Sequence, residues 1–206
     1  MTQNNPDLDK AYALHTPDDN RALYADWAES YDADFAARMA YRLPALVAAA
    51  YRGGGPVLDV GAGTGLLGQA LAARGVGPVD GLDISPQMLA KARAKGVYRD
   101  LMLADVTTAL ELPFAAYRGV VSSGTFTHGH VGPAAIRALL AVAAPGAQFA
   151  LSVNKVVYAA EGFAAMLSEL AGRIDDVEID EEPIYADAPD PAHRSDMALI
   201  VRFTRI

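Results

Sequence analysis

The chain contains no cysteine, and this absence removes several kinds of chemistry at once. Without thiols there is no disulfide framework, no thiolate zinc site and no cysteine nucleophile. Long apolar runs are missing too, since none reaches the roughly 18 residues that a membrane-spanning helix needs. The polar segment Met1–Pro6 is followed by no apolar stretch, so we expect neither an export signal nor an anchor, and a cytoplasmic protein with no membrane partner.

Basic charge is also scarce. The chain has 17 Lys and Arg residues against 25 Asp and Glu residues, which gives a net charge of −8. A phosphate backbone would be repelled unless the fold gathered a local basic patch, and the sequence indicates none. Nucleic acid is therefore disfavoured as a partner; a small molecule is the favoured substrate, and a protein side chain is the second choice.

The composition that remains is typical of one globular domain. Of the 206 residues, 52% are apolar and 20% are charged, which is enough to bury a sizeable core. We predict a single domain over residues 1–206. Its parts are an N-terminal helical cap (1–52), a cofactor-binding core (56–154) and a C-terminal helix with strands (155–206).

Short apolar runs alternate with helical patterns through the core region. The predicted strands are 57–60, 79–84, 101–106, 120–123 and 148–153, and the predicted helices between them are 66–74, 86–95 and 133–143. Such alternation predicts parallel strands joined by right-handed crossovers, which is a doubly wound α/β fold. For the C-terminal region we predict a helix over 163–173, an acidic loop and a last strand over 197–206.

The N-terminal region reads as two helices. Thr16 and Pro17 form a helix start, and the helix is expected to run to about Asp34. A second helix is predicted over 35–51, interrupted near Pro44. The first helix carries an aromatic face made by Tyr24, Trp27 and Tyr31.

Three alternate glycines, Gly61, Gly63 and Gly65, lie between the first apolar strand and the helix that follows it. Glycines there allow a tight turn and bring a ligand close to the backbone, so a nucleotide-like cofactor is expected. Residues 63–68 also fit the dinucleotide pattern G-x-G-x-x-G, and Asp83 stands where a ribose-binding acid would, which keeps NAD open. Asp59, inside the first strand, favours instead a cationic ligand without a diphosphate, S-adenosylmethionine.

Several motifs together resemble those of class I S-adenosylmethionine-dependent methyltransferases. They are Leu58-Asp59-Val60-Gly61-Ala62-Gly63-Thr64-Gly65, Gly81-Leu82-Asp83-Ile84-Ser85 and Ala104-Asp105-Val106. Residues 27–32, 95–98 and 124–131 resemble more specifically a small methyltransferase-like branch with poorly defined substrates. The resemblance, over about residues 20–150, implies a Rossmann-like sheet of seven strands in the order 3-2-1-4-5-7-6, with the last strand antiparallel and N-terminal helices over the cofactor.

The resemblance also implies a cofactor role for each matching residue. Those expected around the methionine part are Asp59, Gly61, Ala62, Gly63, Gly65, Ser122 and Ser123. Those expected at the adenosine part are Asp83 for the ribose hydroxyls, Ile84 beside the adenine, Asp105 for its amino group and Val106 through its backbone. Tyr24, Trp27 and Tyr31 would form a lid. Each has a structural alternative: carboxylates after strands cap turns, aromatic stripes pack in cores, and serines end strands.

The loop after the fourth predicted strand holds two histidines, His128 and His130. An imidazole with a pKa near about 6.5 can take a proton from an acceptor, so both are candidate general bases; the alternative is a capping or solvated role. No obvious third ligand accompanies them, so no metal site is predicted. The predicted activity is methyl transfer by in-line displacement; the alternatives are a non-catalytic S-adenosylmethionine-binding module and an NAD-dependent oxidoreductase.

Overall fold

The computed structural model describes residues 40–108, 110–186 and 193–206. The expected lid residues Tyr24, Trp27 and Tyr31, and the helix predicted over 16–34, lie outside the described residues. Within the described ranges, no helix combines the length and the apolar character needed to cross a membrane.

One sheet of seven strands organises the molecule, in the order β3-β2-β1-β4-β5-β7-β6. The strands are β1 Val57–Val60, β2 Val79–Asp83, β3 Asp100–Leu103, β4 Tyr117–Phe126, β5 Ala143–Asn154, β6 Ile174–Pro183 and β7 Met197–Arg205. Strands β1 to β5 pair in parallel, and β7 runs antiparallel between β5 and β6. The strand order and the antiparallel last strand expected from the motifs are confirmed.

One helix precedes β1 and the others lie between strands, close to their predicted positions in the core region. They are α1 Leu43–Ala50, α2 Leu66–Ala73, α3 Pro86–Ala94, α4 Ala135–Val142, α5 Lys155–Ala160 and α6 Phe163–Glu169. Side-chain caps fix two of the helix starts. The Ser85 hydroxyl accepts from the Met88 amide at 3.3 Å before α3, and the Asn154 side chain accepts from the Val156 amide at 2.9 Å before α5. Helix α5 was not predicted from the sequence.

Both faces of the sheet are covered. In β1, Leu58 and Val60 belong to a core shared with Ile136 of α4, whereas Val57 belongs to a second core shared with Val47 of α1 and Leu71 of α2. Since side chains alternate along a strand, Asp59 lies on the same face as Val57. The short apolar runs arise because parallel strands are buried on both sides.

The prediction of an acidic loop in the C-terminal region is wrong, because this segment forms the edge strand β6. Its backbone pairs with β7 from Ile174 opposite Arg205 to Pro183 opposite Met197. Most of its side chains are exposed, so it lacks the apolar pattern by which the buried strands are recognised. Its acids are balanced by cations, including Arg202, which lies 2.6 Å from both Glu178 and Asp180.

Candidate active site

A pocket opens where β1, β2 and β4 end. Strand β1 has β2 on one side and β4 on the other, so the connections leave it in opposite directions and a crevice forms at this edge. The pocket is partly open to solvent and extends from the glycine loop after β1 to the segments that follow β2, β3 and β4. Residues from the β2–β3 side and from the β4 side line opposite ends of it.

The glycine loop forms the floor of the pocket. Gly61, Gly63 and Gly65 all have positive φ angles, of 69°, 54° and 92°. The amides of Gly61 and Ala62 donate to the Leu82 carbonyl at 2.9 Å and tie the loop to β2. A Cβ on Gly63 would meet only a carbonyl oxygen at 4.0 Å, so bare backbone faces the pocket there. Gly61, Ala62 and Gly63 line the pocket, while Gly65 caps α2 and does not.

Asp83, at the end of β2, is held by two backbone amides. Its Oδ2 accepts from Gly63 and its Oδ1 from Ser85, both at 2.8 Å. Burial raises the pKa of this carboxyl, and hydrogen bonds from backbone amides, including those of Ser85 and Gly63, oppose that rise. A carboxylate offers about four lone-pair sites, so each oxygen retains acceptor capacity for a ligand in the pocket that it lines. The turn-capping role is therefore observed and leaves room for the ribose role.

The wall next to Asp83 is apolar, with one further acid. Ile84, Met88 and Val106 line it together with Asp105. Asp105 lies beyond the end of β3 rather than within the strand as predicted. Its Oδ1 accepts from the Thr107 amide at 2.8 Å and from the Thr107 hydroxyl at 2.6 Å, which fixes the turn above the wall.

Asp59 lies beneath the loop rather than on the pocket wall. It is fully buried, and its Oδ2 accepts from the Tyr98 hydroxyl at 2.7 Å. Burial raises the pKa of the Asp59 carboxyl to about 7; the hydrogen bond from Tyr98 opposes this, and the charge of Asp83 adds to it. Ser122 supports the loop in the same way, because its hydroxyl donates to the Val60 carbonyl at 2.8 Å.

The β4 end of the pocket is neutral and polar, lined by Tyr41, Ser123, Thr125 and His130. Burial raises the pKa of Tyr41 to about 12, and a hydrogen bond with Ser123 opposes that rise. Burial, with a smaller contribution from His128, lowers the pKa of His130 to about 4. The ordinary imidazole pKa expected from the sequence therefore does not apply to His130.

Sequence reasoning separated the two histidines poorly and missed one wall residue. His130 lines the pocket, whereas His128 is not among the lining residues. Tyr41 was not predicted, although an aromatic residue just before Pro44 at the start of α1 was the available signal. Thr125 lies in the segment 124–131, but no role was predicted for it. Its hydroxyl donates to the Val60 carbonyl at 3.0 Å.

These side chains fit S-adenosylmethionine better than a dinucleotide. Among the described residues that line the pocket there is no Lys or Arg to hold a diphosphate, while Asp83 and Asp105 are both acidic. A ribose, an apolar base and a cationic amino-acid end match acceptors, apolar walls and nearby carboxylates. The fold and the site thus define a doubly wound α/β protein with a nucleoside-type pocket and the strand order of methyltransferases.

Comparison with known proteins agrees with this assignment. Residues 57–146 match the family described as methyltransferase domain. Methyltransferase-like protein 27 from Homo sapiens is 34% identical over 134 residues, which are 61% of this chain and 51% of the human protein. The 18S rRNA (guanine(1575)-N(7))-methyltransferase from Saccharomyces cerevisiae is 38% identical over 66 residues, which are 32% of this chain and 24% of the yeast protein. The chain thus spans about half the length of the human relative and about a quarter of the yeast one.

A solved structure shows the same fold over nearly the whole chain. The [4+2]-cyclase SpnF superposes with a TM-score of 0.69 at 18% identity, covering 93% of this chain and 97% of the cyclase. The match over residues 57–146 and the human relative support the predicted class I S-adenosylmethionine-dependent methyltransferase domain, with S-adenosylmethionine as its cofactor. The NAD-dependent oxidoreductase alternative is not supported.

Proposed function

We propose that the protein transfers the methyl group of S-adenosylmethionine to a small, uncharged nucleophile, a hydroxyl or neutral amine, held at the β4 end of the pocket. The observation that carries the proposal is one continuous pocket with two unlike ends. Acids and apolar walls lie on the β2–β3 side, and neutral polar groups including His130 lie on the β4 side. When bound, S-adenosylmethionine would supply an activated methyl group: the acceptor oxygen or nitrogen would bond to the methyl carbon in line with the breaking carbon–sulfur bond, S-adenosylhomocysteine would depart, and the acceptor's proton would pass to a base.

The cofactor end follows from the contacts already described. Asp83 would accept the ribose hydroxyls while the Gly63 and Ser85 amides hold its carboxylate in place. Ile84 and Val106 would flank the adenine. The other residues proposed to bind the cofactor are Asp105 at the adenine amino group, the backbone of Gly61, Ala62 and Gly63 at the methionine part, Ser123 beside it, and Tyr24, Trp27 and Tyr31 as a lid that excludes water.

The acceptor end is proposed to use His130 as the general base. With a pKa of about 4, His130 is neutral at physiological pH but is a weak base, so it suits an acceptor whose proton becomes strongly acidic as the methyl group is transferred. Tyr41, Ser123 and Thr125 would orient the acceptor through their hydroxyls. Since no carboxylate from the described residues lines this end, a cationic acceptor finds no counter-charge there. A small molecule is the favoured acceptor for this pocket, and a protein side chain is the second choice.

His130→Gln tests the base. Turnover should fall by about 100-fold to about 10,000-fold, while S-adenosylhomocysteine affinity, measured by isothermal titration calorimetry, stays within a few-fold. At saturating S-adenosylmethionine the parent should show no loss of turnover as pH falls through about 6.5, because His130 gains its proton only near pH 4. His128→Gln, outside the pocket wall, is the matched control. Full turnover in His130→Gln would mean that His130 is not the general base.

A second candidate is a protein that binds S-adenosylmethionine without transferring its methyl group. It is favoured by one observation, that a structure with this fold is named as a [4+2]-cyclase. Formation of S-adenosylhomocysteine during incubation with a broad panel of hydroxyl and amine acceptors separates the two. Tight cofactor binding with no S-adenosylhomocysteine formed would favour the second candidate.

A further inference from the structure

Tyr98 connects the strand and the helix that flank the glycine loop, and it lies outside the pocket wall. It lies between α3 and β3, and its hydroxyl donates to Asp59 Oδ2 at 2.7 Å. The Tyr98 hydroxyl oxygen also accepts a hydrogen bond from the Gly68 amide, in the first turn of α2, at 3.2 Å. One phenol therefore joins the buried carboxylate of β1 to the start of the helix that follows the glycine loop.

The Tyr98 ring fills space that three glycines leave open. A Cβ on Gly68 would lie 2.4 Å from the ring, one on Gly81 3.0 Å and one on Gly65 3.1 Å. Gly68, which completes the dinucleotide-like pattern, is thus explained by close packing of Tyr98 and needs no diphosphate. Such a fit fixes the phenol in one place, so its hydrogen bond to Asp59 is a built feature of the loop.

The charged form of Asp59 depends on this hydrogen bond. Its Oδ1 is buried and has no hydrogen-bond partner among the described residues. The titratable groups that face it from the described elements are Tyr98, from the segment before β3, and Asp83, from β2. Burial and Asp83 both disfavour the charged form, and the Tyr98 hydroxyl favours it. At neutral pH the balance is close, since the pKa of Asp59 is about 7.

We propose that Tyr98 is a positioning residue for the cofactor: its hydroxyl holds Asp59 beneath the glycine loop, where the carboxylate attracts the ammonium group of the cofactor's methionine part. Asp59 acts through the field across the loop rather than by contact, because a buried charge is weakly screened. The inference rests on the proposed function. It adds that affinity for the amino-acid end depends on a residue outside the pocket wall.

The test measures S-adenosylhomocysteine affinity by isothermal titration calorimetry from about pH 5.5 to about pH 9. For the parent, affinity should fall as pH drops through about 7, as Asp59 takes up a proton. Tyr98→Phe removes the bond that favours the charged form, so the fall should move to higher pH. Its affinity near pH 7.5 should be about tenfold weaker than the parent's and recover towards pH 9. Asp59→Asn should bind weakly at every pH.

Tyr117→Phe is a matched control, because the Tyr117 hydroxyl also donates to a buried carboxylate, Asp80 Oδ2 at 3.0 Å, near the opposite end of β2. Its pH profile should equal the parent's. A loss in Tyr98→Phe that is the same at every pH would mean a merely structural role and overturn the inference. Parent-like affinity of Asp59→Asn near pH 8 would also overturn it, even if Tyr98→Phe failed to fold.

The parent protein separates this inference from the proposed function. A parent that binds S-adenosylhomocysteine with no dependence on pH overturns only the role of Asp59 and Tyr98. A parent that binds neither S-adenosylmethionine nor S-adenosylhomocysteine at any pH overturns the proposed function and this inference together.

Discussion

Asp83 combines two roles that substitution can separate. Asp83→Ala removes an acceptor for the ribose and also leaves the Gly63 and Ser85 amides without their partner. S-adenosylhomocysteine binding should weaken by about 1.5 to 3 kcal/mol, and the free energy of unfolding should drop by about 1 to 2 kcal/mol. Asp83→Asn, which keeps one acceptor oxygen, should lose less of both. Calorimetry and urea unfolding measure the two effects; unchanged binding in Asp83→Ala would leave Asp83 as a turn residue alone.

Gly61 is required for contact as well as for conformation. Its φ is 69°, and a Cβ there would lie 2.0 Å from Thr125 Oγ1 on β4. Gly75 has a similar φ of 72° with nothing within 4 Å, so it is a matched control. In urea unfolding, Gly75→Ala should cost about 1 kcal/mol and Gly61→Ala clearly more, by about 1 to 3 kcal/mol. Equal losses of stability in the two variants would show that β4 can shift to make room for a side chain at position 61.

At the scale of elements, one ion pair and one phenol connect three strands. Arg99, just before β3, donates to Asp80 of β2 through Nε at 2.8 Å, and Tyr117 of β4 donates to the same carboxylate. Arg99→Ala should lower the free energy of unfolding by about 1 to 3 kcal/mol, less than for a fully buried pair because Arg99 is half exposed. Arg137→Ala, which removes an exposed pair with Glu169, should cost under about 1 kcal/mol. Equal losses on urea unfolding would refute the difference.

The elements also show what a sequence alone can predict. Strands β1 and β2 were located closely because burial on both faces selects short apolar runs, and Gly63 and Asp83 were located because loop and acid follow such runs directly. Strand β6 was missed because an edge strand with exposed side chains carries no such pattern. The Tyr98 bond to Asp59 spans 39 positions and depends on how α3 packs, so no local pattern encodes it.

At the scale of the whole molecule, two buried groups give stability opposite dependences on pH. The pKa of Asp59 is raised to about 7, so the folded state holds a proton that the unfolded state releases above about pH 4. The Asp59 contribution is therefore present at low pH and lost as pH rises towards 7. The pKa of His130 is lowered to about 4, so its contribution is present above about pH 6.5 and lost as pH falls. Asp83, with a raised pKa, acts in the same direction as Asp59.

Single substitutions should uncover each dependence in the protein without cofactor. Relative to the parent, Asp59→Asn should gain stability as pH rises from about 5 to about 7, by at most about 1.4 kcal/mol for each pH unit, because it has no proton to release. His130→Gln should show the opposite dependence on pH. It should gain stability relative to the parent as pH falls from about 6.5 to about 5, because glutamine has no imidazole that the fold must hold in its neutral form. Urea unfolding at about pH 5, 6, 7 and 8 measures both differences. Curves for the parent and Asp59→Asn that stay parallel over this range would mean that Asp59 is ionised throughout. The Tyr98 hydrogen bond would then outweigh burial, and the loss of cofactor affinity on acidification would need another titrating group.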